Sequence, residues 1–493
     1  MTRTPGSRPT ATDGSGNAVS RAGSAVTRVE ATSTTLVLGD REWRRTTGTL
    51  HGVVGPGERV AGLAELPTDD EGRYAYSAEF EVLEPGGAGD LVLVDMENRG
   101  RPATLMALEQ LAPASADSTP TGAVYPPGRG TGFLAGQDLG YARVQWESGI
   151  AAGVPATAQG VGEVVVRDFG RLLTGAVASP EGAVLPRFGT AVLTGISQSA
   201  WFVTTFLAEG FNVDPDTGDG VYAAALAVSS TGNWLAINAL AGEEAQRPYL
   251  LEHGVPLAYE QILTRPASDP LYVDVATYTD YYRLRASVTA HADRPADVRR
   301  YDWPAPHAGP AYPDEVVFGL LGCNGGVAVP RNPIAYDPYL RSVVADLAAV
   351  LRGPGADGAG LPASAVFELV PPPPSAAVNE LPGVPLSVPA VDDDTAQPLG
   401  GVRFPDAVVP LGRPLPVALG PVGTSSITDV CGNWGGWEPF PAEELRARYG
   451  DVEGYLTRYG AAVDEQVRAG YLRADERAPM LARARAAFLA AGA

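Results

Sequence analysis

From about residue 140 onward, short apolar runs alternate with amphipathic stretches. This rhythm constrains the fold more than any other feature of the chain. YARVQWES and TAVLTGIS read as strands, and GEVVVRDFGRLLTGAV and QSAWFVTTFLAEG as helices. YAAALAVSS, LYVDVATYTD and VRRYDW are further strands, and PYLRSVVADLAAVLRG is a helix stopped by Gly-Pro. A parallel strand pair needs a crossover, usually a helix, so the alternation predicts an α/β protein. Its central sheet should be mostly parallel, with helices on both faces. Ahead of this region, TTLVLG, TGTLHGVVG, RYAYSAEFEVLEP and DLVLVDMENRG form a β-rich extension. Behind it, Pro371–Pro374 opens a Pro-rich connector, and PAEELRARYG and ADERAPMLARARAAFLAA are amphipathic helices. The expected division is a disordered tail over 1–26, one domain over 27–370, and a connector with a helical extension packed on the core over 371–493. No internal repeat is present.

The composition removes whole classes of chemistry. All 36 basic residues are arginine, against 57 acidic ones, for a net charge of −21. Without lysine there is no Walker-A lysine, no Schiff base and no lysine general base. Two distant cysteines, Cys323 and Cys431, exclude a zinc ribbon, an iron–sulfur cluster and a CxxC redox pair; they read as free buried thiols, with one disulfide between them as the alternative in an exported protein. The acidic balance argues against nucleic acid and anionic membranes as partners. No run of about 18 apolar residues exists, and the first 25 residues lack the apolar core of a signal peptide, so a cytoplasmic protein is expected. DPDTGDG (214–220) starts like a calcium loop, but Ala225 stands where the twelfth-position glutamate belongs. No motif calls for a metal or a cofactor.

The strongest local signal is TAVLTGISQSAWFVTTFL. An apolar strand runs through Gly195-Ile196-Ser197-Gln198-Ser199 straight into a helix. This resembles a nucleophile elbow, in which a serine sits on a sharp strand-to-helix turn. The residues two before and two after it must be small, so that strand and helix can pass. Gly195 and Ser199 meet that demand. Ser197 would be the nucleophile, and the Gln198 amide would face a developing oxyanion. A plain Gly-Ser turn is the alternative. Ser229, in ALAVSSTG, is a weaker rival because no helix follows it.

An elbow serine needs a histidine later in the chain and an acid between them. Of four histidines, His51 precedes Ser197. His253 lies in a polar segment and His291 in a helical stretch, YYRLRASVTAHAD. His307 follows the strand VRRYDW in the loop PAPHAGP, where a base can reach the nucleophile. The acid should end the preceding strand, which points to Asp280, with Asp274, Asp302 and Asp297 as alternatives. Asp280 could instead be a helix cap. A second oxyanion donor would come from the loop after LVLVD, where Arg99 and Gly100 lie in Asn98–Arg101. An ordinary turn fits there as well. Trp201 and Tyr278 flank these positions and are the candidate substrate contacts.

Several stretches resemble the bacterial family of α/β-hydrolase-domain proteins, regarded as serine esterases. They are the NRG after an early strand, GISQS followed by FLAEGFN, the DG-x-Y-x-x-x-L-A-x-S stretch, the histidine after VRRYDW, the GCN segment beyond it, and a C-terminal PF-x-x-x-x-L-x-x-RYG pair. The likeness runs from about 45 to 490. It departs at Ala200-Trp201, where Gly-Arg is expected, and at Tyr278, where an acid is expected. It implies an α/β-hydrolase fold, Ser197 as nucleophile, His307 as base and an acid near Asp280. The expected partner is a small-molecule ester or acyl substrate. Acyl transfer, amide or lactone cleavage, or a non-catalytic ligand-binding role on the same fold are the alternatives.

Overall fold

The computed structural model describes residues 23–85, 89–111, 130–177, 180–241, 254–308, 330–353, 360–417 and 430–492. His253 and Cys323 lie outside these residues, as does the Cys431 side chain. Ten strands form one sheet: β1 (Ala25–Leu38), β2 (Arg41–Val54), β3 (Tyr74–Pro85), β4 (Leu91–Asp95), β5 (Leu139–Val144), β6 (Glu181–Gly182), β7 (Thr190–Ile196), β8 (Ala224–Val228), β9 (Leu271–Thr277) and β10 (Val298–Trp303). Their order is β10-β9-β8-β7-β4-β5-β3-β2-β1-β6. From β10 to β5 all pairs are parallel. The N-terminal strands prolong this same sheet. β3 pairs antiparallel with β5, setting Phe80–Leu83 against Val144–Tyr141, and β2 and β1 follow antiparallel.

The central strands read as unbroken apolar runs because both of their faces are buried. Every residue of β4, β8 and β9 is buried. Alternate side chains enter two cores: Leu91, Leu93, Leu226 and Val273 on one face, Val92, Val94, Ala225 and Ala227 on the other. The first core is closed by α1 (Ala103–Glu109), α5 (Asp337–Arg352) and the C-terminal helices α6 (Ala442–Tyr449), α7 (Val452–Ala469) and α8 (Arg477–Ala490). The second is closed by α2 (Val161–Leu173) and α3 (Gln198–Ala208). The ends of α7 follow from local chemistry. The Asp451 carboxylate accepts the Gly454 amide at its start, and Gly470 takes φ 83° at its end.

One expected helix is divided. YYRLRASVTAHAD splits into α4 (Tyr278–Arg283) and a short helix Ser287–His291. The break is at Arg285, held at φ 58° while its guanidinium donates to the carbonyls of Asn379 and Gly254. Parallel pairing then sets the carboxyl ends of β4, β7, β8, β9 and β10 along one edge of the sheet. Open α/β sheets hold their ligands at this edge.

Candidate active site

β7 ends at Ile196, and α3 begins at Gln198, so Ser197 alone makes the turn. Its φ of 64° with ψ −127° is a conformation that L-residues rarely hold. Several bonds enforce it. The Ser197 amide donates to the Val228 carbonyl of β8 at 2.8 Å. The Ser199 hydroxyl accepts from the Ile196 amide and donates to the Ile196 carbonyl, both at 2.9 Å. At Gly195 a Cβ would stand 2.5–2.8 Å from backbone atoms of Ser199 and Ala200. The two small residues of the motif are therefore used for close passage and for a hydroxyl staple.

His307 lies four residues past β10, buried, in a loop tied down by the Ala308 amide donating to the Asn433 carbonyl. Its Nε2 is 2.8 Å from the Ser197 hydroxyl, and its Nδ1 is 2.6 Å from Asp280 Oδ1. Asp280 is fully buried. It is the third residue of α4 rather than the end of β9 or the N-cap itself, which is Thr277. Oδ1 faces His307, while Oδ2 accepts the Thr277 amide at 2.7 Å. Burial alone would raise the Asp280 pKa. The His307 charge, the His307 hydrogen bond and the Thr277 amide outweigh burial and hold it below the ordinary aspartate value. The Tyr278 amide donates to the Ala305 carbonyl at 3.0 Å, joining the segment that carries the acid to the loop that carries the histidine. Serine, imidazole and carboxylate in such a chain can pass a proton from hydroxyl to ring while the carboxylate orients the ring.

The other candidate histidines and aspartates sit elsewhere, whereas Ser229 stands beside Asp280, where its hydroxyl helps hold the carboxyl pKa down. His51 is on β2 near Glu30, and His291 is exposed, with Nε2 3.3 Å from the Ser387 hydroxyl. Asp274 and Asp302 face each other across Arg300 inside the sheet. Arg300 Nε meets Asp302 at 2.6 Å and Nη1 contacts Asp274, while Tyr259 and Tyr281 donate to the two carboxylates. Asp297 precedes β10, at the edge of the sheet away from His307. Ser229 closes β8, fully buried, with φ 60°. Asp214 and Asp216 of the acidic loop both bind Arg171, an internal cation.

Asn98–Arg101 forms a tight turn whose ends exchange backbone hydrogen bonds at 2.8 and 3.1 Å. Arg99 and Gly100 take φ 52° and 75° within it. Arg99 Nε donates to Gln198 Oε1 at 3.2 Å, and Gln198 Nε2 donates to Glu147 Oε1 at 2.6 Å. The turn thus lies against the first residue of α3. Trp201 is buried in the second core, its indole donating to the Ser229 carbonyl at 3.3 Å. Tyr278 packs edge-on against Tyr282 and Phe367. Sequence reasoning did not single out the Asn98 side chain, Glu147 or Arg300. A polar residue just past a strand's carboxyl end was the available signal for the first two.

Fold and site geometry together define an α/β-hydrolase. A family model described as "alpha/beta hydrolase domain" matches residues 140–482, well over half of the chain. The chain belongs to that family. No curated protein matches it significantly. Among solved structures it is similar to a CE15 glucuronoyl esterase from Teredinibacter turnerae, with 12% identity, TM-score 0.29, 51% of this chain and 62% of that one covered. It is also similar to an arylesterase, with 13% identity, TM-score 0.26, 52% and 82% covered. A hyperthermophilic esterase from Pyrobaculum calidifontis gives 9% identity, TM-score 0.27, 56% and 81% covered. Scores and identities this low say nothing about substrate. Among the described residues, no helix is long and apolar enough to cross a membrane.

Proposed function

We propose that the protein is a serine hydrolase that cleaves carboxylic esters through an acyl-enzyme. Ser197 Oγ attacks the acyl carbonyl while its proton passes to His307 Nε2. His307, oriented by Asp280, then returns that proton to the departing alkoxide. Water enters and gives a proton to the same nitrogen as its oxygen bonds the acyl carbon; the bond from that carbon to Ser197 Oγ then breaks, His307 Nε2 returns the proton to Oγ, and the acid departs. The Gln198 amide and the amides of the Arg99–Gly100 turn hold the oxyanion in both steps. The observation that carries this reading is the unbroken chain from Ser197 to His307 at 2.8 Å and from His307 to Asp280 at 2.6 Å, with the serine held at φ 64°. The test is labelling with a fluorophosphonate probe alongside hydrolysis of p-nitrophenyl acetate. The wild type labels once per chain and turns the ester over, and Ser197→Ala does neither. A wild type that fails to label, or a Ser197→Ala variant that labels equally, overturns the reading.

A further inference from the structure

An oxyanion held by amides from two separate segments is stabilised only if those segments keep their spacing to within about 0.5 Å. Nothing in the covalent chain ensures this here, because Arg99 and Gln198 are almost a hundred residues apart. The Asn98 side chain joins the two segments. Its Nδ2 donates to the Ile196 carbonyl at 2.8 Å, and that carbonyl belongs to the peptide leading into Ser197. The Asn98 backbone closes the turn that presents Arg99 and Gly100, through bonds to Arg101 in both directions. Two successive left-handed residues, Arg99 at 52° and Gly100 at 75°, fix the direction of the turn's amides. A second link repeats the first, since Arg99 Nε holds Gln198 Oε1 and Gln198 Nε2 holds Glu147 beyond β5.

We propose that Asn98 is a positioning residue. Its side chain pins the Asn98–Arg101 turn to the Ser197 elbow and so sets the distance between the two halves of the oxyanion site. The Arg99–Gln198–Glu147 chain acts as the second pin. This rests on the hydrolase reading above. The fold does not depend on the Asn98 bond, because the Ile196 carbonyl also accepts the Ser199 hydroxyl and the turn is closed by its own backbone.

The experiment compares the full-length wild type with Asn98→Ala and Gln198→Met. It measures kcat and KM on p-nitrophenyl acetate, the Ki of a trifluoromethyl ketone, which forms a tetrahedral adduct on the serine, and the extent of fluorophosphonate labelling. Displacing catalytic groups by an ångström costs about 100-fold. In Asn98→Ala we therefore expect kcat to fall about 10- to 100-fold, KM to move less than about threefold, and the ketone Ki to rise by the factor that kcat falls. Labelling still reaches one per chain, only more slowly. Gln198→Met shows a smaller change of the same kind, and decides the matter if Asn98→Ala does not fold. The proposal is overturned if kcat stays within about twofold, if the loss lies in KM, or if kcat falls while the ketone Ki does not. A wild type that fails to label overturns the hydrolase reading itself, an outcome distinct from all of these.

Discussion

Replacing Asp280 by asparagine tests the site most sharply, because the structure dictates how the new amide must sit. Two N–H donors face the carboxylate, Thr277 N at 2.7 Å and His307 Nδ1 at 2.6 Å. A carboxylate accepts both, whereas an amide accepts only one. If the asparagine oxygen faces Thr277, its NH2 meets His307 and Nδ1 must become the acceptor. The ring proton then sits on Nε2, where it blocks proton transfer from Ser197. If the oxygen faces His307, the buried Thr277 amide loses its partner, at a cost of about 1–3 kcal/mol. The competent arrangement is therefore suppressed about 5- to 150-fold, and it lacks the negative charge that stabilises the imidazolium. Together these give an expected kcat loss of about 10³–10⁴-fold, or about 4–5.5 kcal/mol, with KM little changed. The assay is steady-state ester hydrolysis at pH 8 beside a thermal melt. Raising the pH does not restore activity, because the defect is a tautomer and not a charge. The folded Asp280 pKa lies below its unfolded value, so its contribution to stability is present above that unfolded value and is lost as pH falls through the folded one. The stability gap between wild type and variant should accordingly close in acid. A folded Asp280→Asn variant that keeps more than about a tenth of wild-type kcat would refute the assignment.

Three further perturbations follow from particular contacts. Gly195→Ala drives a methyl to within 2.5 Å of the Ser199 carbonyl oxygen, so we expect about 1–3 kcal/mol of destabilisation and a fall in kcat, read by urea unfolding and ester turnover. Wild-type behaviour in both would show that the close passage at the elbow is relaxed. Arg300→Met strands Asp274 and Asp302 in the core and should cost about 3–5 kcal/mol at pH 8, and a loss under about 1 kcal/mol would contradict the pairing. Burial lifts the Glu163 pKa from 4.5 to about 8. The folded chain then keeps a proton that the unfolded chain has released, so stability falls as pH rises from 4.5 to about 8, by at most about 1.4 kcal/mol per pH unit. Glu163→Gln should flatten that slope, and a slope equal to that of wild type would show that Glu163 ionises freely.

Local rules make some of this molecule readable and leave the rest dark. The elbow is legible because its demands fall on five consecutive residues: an apolar approach, small neighbours, a helix at once. His307 is legible through scarcity, since four histidines leave few bases to choose among. Asp280 reads in the sequence as a strand end but is the third residue of a helix, because β9 stops at Thr277 and the carboxylate turns back to accept the Thr277 amide. Arg300, Asp274 and Asp302 could not be read together. Their pairing depends on the β9–β10 register, which sets Arg300 beside Asp274 and Asp302 beside Ala276. Asp302 in isolation looks like another acid near a histidine. Trp201 shows a similar limit. Four residues past Ser197 on α3, it turns into the second core, and an aromatic near a site reads the same from sequence whether it faces core or cavity. The joining of β3 to β5 spans some 60 residues and leaves no local mark, so the N-terminal strands read as an extension without a place in the sheet.

The lysine-free composition takes on a different meaning once the interior is seen. Arg143 bridges Glu81 on β3 to Glu97, the residue before Asn98. Arg167 bridges Glu58 to Asp168, Arg171 takes Asp214 and Asp216, and Arg300 joins β9 to β10. In each case one buried cation serves at least two carboxylates. A planar guanidinium with five donors can do this, whereas an ammonium offers a compact charge and sheds its proton readily when buried. Replacing all lysine by arginine therefore does more than conserve positive charge. It lets several carboxylates be buried with fewer cations than simple pairs would require. Two of these forks bear on the site. Arg300 fixes the strands whose ends carry Asp280 and His307, and Arg143 fixes the segment that leads into the Asn98 turn. The strained serine between them is held by a frame of paired charges as much as by apolar packing. Such a frame weakens when any one carboxylate loses its fork.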